Sequence, residues 1–379
     1  MTRRDLTHRF GFAAVSAALL PPEMAFAQRA LGSLSSAELP KDMVWLNANE
    51  NPAGPAPSAI AAMTKALPTA GRYHYPEFRD FYAELARTEG LERANQILVG
   101  AGSSEVLHNA VDAFTSPTLP LIVMSPTYEL PAAVAQGHGR RVINVPVTAD
   151  GYYADVRKLA AEAEKAGGGL IYICNPNNPT SAVTPAQDIE WLVNNLPSTN
   201  TVALIDEAYF HFVDGPQATS ASAMKFVREG RKNVIVAKTF SKIYGMAGLR
   251  CGYACAKPDL ISRMIPFQNN VISTVTVQGV LAALADKALV PERKAKLIRT
   301  RTALCAWLKD KGFQYVDPQA NFIMIEVKRN VREIGTAMAR GGVAVGRPFP
   351  PLNQLLRVTI GTDQDMAKFR EVFHQVMSA

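Results

Sequence analysis

The chain carries a lysine, Lys242, within the run Thr239-Phe240-Ser241-Lys242-Ile243-Tyr244-Gly245-Met246-Ala247-Gly248-Leu249-Arg250, directly after an apolar stretch at 233–237 that reads as a strand. An amine at such a strand end can condense with an aldehyde and, once released, move a proton at the neighbouring carbon. Thr239 and Ser241 offer hydroxyls to a phosphate, and Arg250 offers it a planar guanidinium fork. A Ser-Lys pair alone is commonplace and reads as a surface lysine; the full run is far more specific. A second run, Val202-Ala203-Leu204-Ile205-Asp206-Glu207-Ala208-Tyr209, takes an apolar strand into a carboxylate, with a phenol three residues on. A carboxylate against a pyridine nitrogen keeps that ring protonated and able to accept electrons. The same pattern describes a Walker B strand, but no Gly-Lys pair followed by Ser or Thr exists to partner it.

Two further turns complete the set. Cys174-Asn175-Pro176-Asn177-Asn178-Pro179-Thr180 closes another apolar strand and offers an amide at Asn178 to a phenolate oxygen; taken alone, Asn-Pro pairs are ordinary turns. Val99-Gly100-Ala101-Gly102-Ser103-Ser104-Glu105 joins a strand to a helix beginning near Ser103, where free N–H groups and a positive dipole end suit a phosphate. Read as G-x-G-x-x-G it fails at Glu105, so a dinucleotide site is weakly supported. Tyr128, in Pro126-Thr127-Tyr128, supplies a ring that can stack on a heterocycle, with a buried core tyrosine as the bland alternative. An amine for an aldehyde, an anion for a ring nitrogen, donors for a phenolate and a phosphate cradle are together what pyridoxal 5′-phosphate requires.

The elements that must position these groups are short apolar runs at 96–100, 121–125, 141–147, 169–174, 202–206, 233–238 and 249–256, alternating with helical stretches. Continuous Val/Ile/Leu strands separated by helices predict a mostly parallel sheet with helices on both faces, an α/β domain whose ligand sits at the carboxyl ends of the strands. After about residue 263 the pattern changes to helices at 276–286 and 291–310, strands at 321–327, 342–345 and 354–360, and a last helix at 363–377. This is read as a smaller α+β domain. The expected division is an export signal at 1–27, an N-terminal arm at 28–55, a large domain at 56–265 and a small one at 266–379. The polar stretch 46–57 reads as an arm rather than an element of its own.

Together the motifs resemble the fold-type I, class I and II aminotransferases, and in detail the histidinol-phosphate aminotransferases. The similarity runs from Leu46-Asn47-Ala48-Asn49-Glu50-Asn51-Pro52 through Tyr75-Pro76-Glu77 and Gly102-Ser103-Ser104-Glu105 to Arg357-Val358-Thr359-Ile360-Gly361-Thr362. The resemblance implies Lys242 as the Schiff-base lysine, Asp206 on the ring nitrogen, Asn178 and Tyr209 on the phenolate oxygen and Tyr128 stacked on the ring. It further implies Ser103, Ser104, Thr239, Ser241 and Arg250 around the phosphate, Tyr75 reaching the phosphate of the other subunit of a homodimer, and Arg357 gripping the substrate's anion, with Asn178 beside it. Three positions depart from the pattern: Ser181 stands where Gly is usual, Ser104 where an acid is usual, and Arg347 is shifted by one from a second substrate-binding arginine. Other chemistry on the same cofactor (decarboxylation, racemisation, elimination) and a silent binding protein on the same scaffold are the competing functions. The silent protein would be expected to lack Lys242 or Asp206, and both are present.

The rest of the sequence narrows the class. Of 379 residues 48% are hydrophobic and 19% charged, as in globular enzymes rather than disordered chains. A net charge of +7 is spread without a basic block, which argues against a nucleic-acid surface. Arg3 and Arg4 precede an apolar run at 10–20 and the small-x-small pattern Ala25-Phe26-Ala27, the layout of an export signal of the twin-arginine kind, too short to stay in a bilayer. The expected location is therefore the periplasm, reached in the folded state, with the cytoplasm as the alternative if the signal does not function. Export turns the expectation from histidinol phosphate, a soluble biosynthetic intermediate, toward an α-amino acid, aromatic or otherwise, exchanging with a 2-oxo acid. Cys174, Cys251, Cys255 and Cys305 form no disulfide framework. His74, His108 and His138 are scattered in sequence, and Glu207 and His211 match no metal motif, so no metal is expected.

Overall fold

The computed structural model of the chain describes residues 40, 42–217, 222–269 and 271–379. The export signal expected at 1–27 and the first part of the expected arm lie outside the described residues.

Seven strands form the central sheet: β2 (Ile97–Gly100), β3 (Leu121–Ser125), β4 (Val142–Pro146), β5 (Gly169–Cys174), β6 (Thr201–Asp206), β7 (Val234–Thr239) and β8 (Gly252–Ala256), in the order β2-β8-β7-β6-β5-β3-β4. Only β8 runs against its neighbours. Strands β5 to β8 are buried at every residue, which is why they read as unbroken apolar runs rather than alternating ones. Because β2, β3, β5, β6 and β7 share one direction, their carboxyl ends, at Gly100, Ser125, Cys174, Asp206 and Thr239, fall along one edge of the sheet. That edge is where an open α/β sheet places its ligand.

Helices cover both faces: α1 (Pro57–Ala66), α2 (Tyr75–Thr88), α3 (Ser103–Phe114), α4 (Leu130–Gly137), α5 (Val156–Lys165), α6 (Ala186–Asn194), α7 (Met224–Arg228) and α8 (Pro258–Met264). Then follow α9 (Thr274–Ala285), α10 (Leu289–Asp310), β9 (Phe322–Glu326), α11 (Val331–Arg340), β10 (Val343–Val345), β11 (Leu355–Thr359) and α12 (Asp363–Ser378). Two large apolar cores result, one around the central sheet and one gathering β9 to β11 with α10 to α12. Val277, Val280 and Ala283 of α9 belong to the first, since this nearly all-apolar helix packs on α1 and α2. The stretch at 46–57 proves not wholly devoid of regular structure at its start. Val44–Leu46 forms a short strand, β1, pairing in parallel with β10, so Leu46 is buried in the second core.

One buried ionic group sits behind the sheet edge. Successive strand residues face opposite ways, so Lys238 turns from the Thr239 side and meets the Glu89 carboxylate at 2.8 Å and that of Glu207 at 3.7 Å. Tyr253 donates to Glu89 at 2.6 Å, and Ser222 donates to Glu207 at 2.9 Å. Burial alone would drive the Lys238 ammonium downward, but the two carboxylates more than offset it and hold its pKa above the usual lysine value.

Candidate active site

The strand ends open onto a cavity of about 400 Å³ whose walls include Ser103, Ser104, Tyr128, Asn178, Asp206, Tyr209, Thr239, Ser241, Lys242, Arg250, Arg347 and Arg357. Of the site residues that the resemblance implies, only Tyr75 stands elsewhere: it opens α2, is 67% exposed, and stacks on Tyr73 with ring centroids 5.6 Å apart.

Asp206 ends β6 and is buried. Its Oδ2 accepts from the Tyr172 hydroxyl at 3.0 Å and its Oδ1 from the Ala208 N–H at 3.1 Å. Burial raises its pKa to about 6, and these donors with Lys242 work against that rise. Lys242, half-buried, lies in the loop after β7. Burial, with Arg357 and Arg250 nearby, brings its pKa down to about 8, against the opposing pull of Glu50 and Asp206. The loop is clamped from the arm: Asn51 Nδ2 donates to the carbonyls of Lys242 and Ile243 at 3.1 and 3.0 Å, while Arg293 of α10 bridges the carbonyls of Ile243 and Gly54. An amine near neutrality facing the same cavity as a buried carboxylate is an arrangement for carbonyl capture and proton movement.

The phosphate-cradle residues also converge. Thr239 donates to Ser241 Oγ at 2.9 Å, and Arg250 adopts a left-handed backbone (φ 53°) that carries its guanidinium back over the Gly102 turn. A side chain at Gly102 would meet Arg250 Nη2 at 2.4 Å, and one at Gly252 would meet the Ser103 nitrogen at 2.2 Å. Helix α3 starts without a side-chain cap, leaving its first amides to the cavity end. Glu105, which breaks the glycine motif, instead ties the turn by accepting from the Ala101 N–H at 2.6 Å.

At the opposite side Arg357 is buried. It donates to Asn178 Oδ1 and to the Asn47 carbonyl, both at 2.6 Å, and its Nε has no hydrogen-bond partner. Burial lowers its pKa to about 10. Arg347 lines the cavity too, bound to the Glu129 carboxylate and lying 4.2 Å from the Phe349 ring centre. Tyr209 accepts from Asn49 Nδ2 at 3.2 Å and packs edge-on against Phe322. Ser181 takes the left-handed conformation that suits glycine (φ 65°), and its hydroxyl accepts from the Gln319 and Ala320 amides. The residues therefore fit pyridoxal phosphate: a cradle with no room for a Cβ, an amine, a buried carboxylate and an orphan guanidinium N–H share one cavity.

Sequence reasoning assigned no role to Asn47, Asn49, Glu129, Tyr172 or Phe349. Tyr172 reaches Asp206 through the strand register: Cys174 pairs with Asp206, which makes Tyr172 a diagonal neighbour on the same sheet face. His108 and His138, expected to be scattered, both approach Asp112, because α3 brings His108 and Asp112 onto one face and α4 ends beside them. They lie on the surface and do not line the cavity. Among the described residues no helix is long and apolar enough to cross a membrane.

Residues 41–373 match the model of the family Aminotransferase class I and II. The histidinol-phosphate aminotransferase of Moorella thermoacetica is 33% identical over 346 residues, covering 89% of this chain and 86% of the relative. An aromatic amino acid aminotransferase of Cutibacterium acnes is 30% identical over 341 residues, covering 89% of this chain and 93% of its own. The crystal structure of histidinol-phosphate aminotransferase from Sinorhizobium meliloti in complex with pyridoxal-5′-phosphate superposes with a TM-score of 0.81 at 26% identity, covering 95% of each chain. With its mostly parallel sheet, its strand-end cavity and a match over nearly the whole described chain, the protein belongs to the class I and II aminotransferases.

Proposed function

We propose that this pyridoxal phosphate-dependent aminotransferase takes an α-amino acid as donor and a 2-oxo acid as acceptor, with Lys242 as the residue that holds the cofactor and moves the proton. The observation that carries the reading is that Lys242 and Asp206 line one cavity with Arg357, whose buried Nε–H lacks a partner. When bound, pyridoxal phosphate supplies an aldehyde and an electron-accepting ring. Asp206 would hold the proton of the ring nitrogen; Tyr209 and the Asn178 amide would donate to the phenolate oxygen. Tyr128 would cover the ring face, while Ser103, Ser104, Thr239, Ser241 and Arg250 grip the phosphate. Arg357 would hold the substrate carboxylate and so place the α-C–H beside the Lys242 amine, which shuttles the proton in both half-reactions. Borohydride reduction and peptide mapping should place the pyridoxyl group on Lys242. A donor panel without acceptor should convert the cofactor to its amino form with α-amino acids; conversion confined to histidinol phosphate would refute the donor reading.

The active unit in this reading is a homodimer in which Tyr75, exposed and outside its own cavity, serves the phosphate of the neighbouring subunit. Arg3, Arg4 and the apolar run at 10–20 support periplasmic export in the folded state. An Arg3→Lys/Arg4→Lys variant retained in the cytoplasm, against a periplasmic wild type, is the expected result of fractionation; equal distribution of the two would count against it.

A further inference from the structure

Two arginines face the cavity, and they are not equivalent. Arg357 spends its Nη groups on neutral oxygens, those of Asn178 and Asn47, and its Nε–H is unmatched. Arg347, with its side chain 15% exposed, is bound to the carboxylate of Glu129, the residue directly after Tyr128. Phe349 stands by both, its ring centre 4.2 Å from the Arg347 guanidinium and 4.7 Å from that of Arg357. The cavity thus presents one guanidinium held only by neutral groups and one already neutralised from within. We propose that Glu129 is a specificity-determining residue: it occupies Arg347 and so rejects donors that carry a phosphate monoester, leaving Arg357 to anchor a single carboxylate. This rests on the α-amino acid reading above and names what enforces it. A phosphate dianion approaching Arg347 must displace the Glu129 carboxylate or lie beside it, like charge against like in a partly buried place. A donor with one carboxylate and an uncharged side chain meets that opposition only weakly at Arg357, where Glu129 is the least of the nearby charges, and Phe349 offers that side chain an apolar contact.

The test uses the full-length, cofactor-loaded protein as wild type, Glu129→Gln, Glu129→Asp and Glu129→Gln/Arg347→Gln. Dissociation constants for histidinol phosphate and for phenylalanine are read from the visible absorption of the bound cofactor. Glu129→Gln should tighten histidinol phosphate about tenfold or more, equivalent to about 1.4 kcal/mol, while phenylalanine changes less than about threefold. Glu129→Asp should keep the wild-type preference, and the gain should vanish in the double variant. Equal tightening of both ligands, no change for histidinol phosphate, or a gain that survives loss of Arg347 would overturn the proposal. A wild type that acts on histidinol phosphate alone would instead refute the donor reading, and the ratio of variant to wild type would still decide the role of Glu129.

Discussion

At the scale of single residues the active site is a balance between burial and charge. Below about 8 the Lys242 amine is protonated and cannot attack an aldehyde, so covalent uptake of cofactor by the apoprotein should accelerate with pH and level off above about 8. Stopped-flow absorbance measures this; a plateau only near the ordinary lysine value of 10.5 would contradict it. The linkage has a definite sign. Between about 8 and 10.5 the unfolded chain holds a proton on this lysine that the folded apoprotein lacks, so this group makes stability rise with pH in that window. Asp206 works the other way round, because burial has already raised it to about 6 and the Tyr172 hydroxyl is one of the donors limiting the rise. Tyr172→Phe should move that titration upward and lower kcat roughly tenfold near pH 6 to 7, as expected for about one lost hydrogen bond to a charged group. Raising the pH should restore much of the rate, and an equal loss at every pH would show that Tyr172 acts through packing alone.

At the scale of elements, the strand ends and the helix that follows β2 have to meet without side chains between them. Gly252 of β8 lies so close to the start of α3 that a methyl group there would press on the Ser103 nitrogen at 2.2 Å. Gly252→Ala should therefore weaken cofactor binding by at least tenfold in an equilibrium titration while leaving the circular dichroism largely unchanged. The pair behind the same edge gives a second expectation. Lys238→Met strands Glu89 and Glu207 in the interior, and a loss of about 3 to 5 kcal/mol follows from breaking a buried ion pair. Lys238→Met combined with Glu89→Gln should recover part of it in thermal unfolding. Much of this scale was legible in the sequence, since strands buried on both faces leave unbroken apolar runs, and Asp206 ends such a run while Tyr209 and Lys242 each follow one three residues on. What was hidden has a shared cause. Tyr172 depends on the register between β5 and β6, Asn49 on contact with Tyr209, 160 positions away, and Glu129 on a loop that meets it from 218 positions along the chain. Local periodicity carries none of those pairings.

At the scale of the whole molecule, the cavity described so far is built from one chain, and Tyr75 is the residue that does not fit inside it. If it serves the neighbouring subunit, Tyr75→Phe should weaken cofactor binding by about tenfold without disturbing the fold, in line with one lost hydrogen bond to a charged group. Mixing inactive Lys242→Ala subunits with Tyr75→Phe subunits should then regenerate sites of two kinds, one with both residues intact and one with neither. Titration of the mixture should show a tight cofactor population that neither variant shows alone; its absence would indicate that Tyr75 acts within its own subunit. Light scattering of the loaded protein should give twice the chain mass.

The pairing of β1 with β10, and the bond from the Asn49 amide to Thr359 across 310 positions, also dictates an order of assembly. During synthesis, Asn47 to Glu50 leave the ribosome well before Asn321, Arg357 and Thr359, which hold them. The catalytic lysine, the carboxylate and the phosphate turns are all made while the front wall of the cavity still waits for its support. A product terminated just short of β11 would contain every residue of the central sheet and would still be open on one side, without Arg357 to meet Asn47 or Thr359 to meet Asn49. Translation through β11, rather than completion of the central sheet, is what closes the pocket.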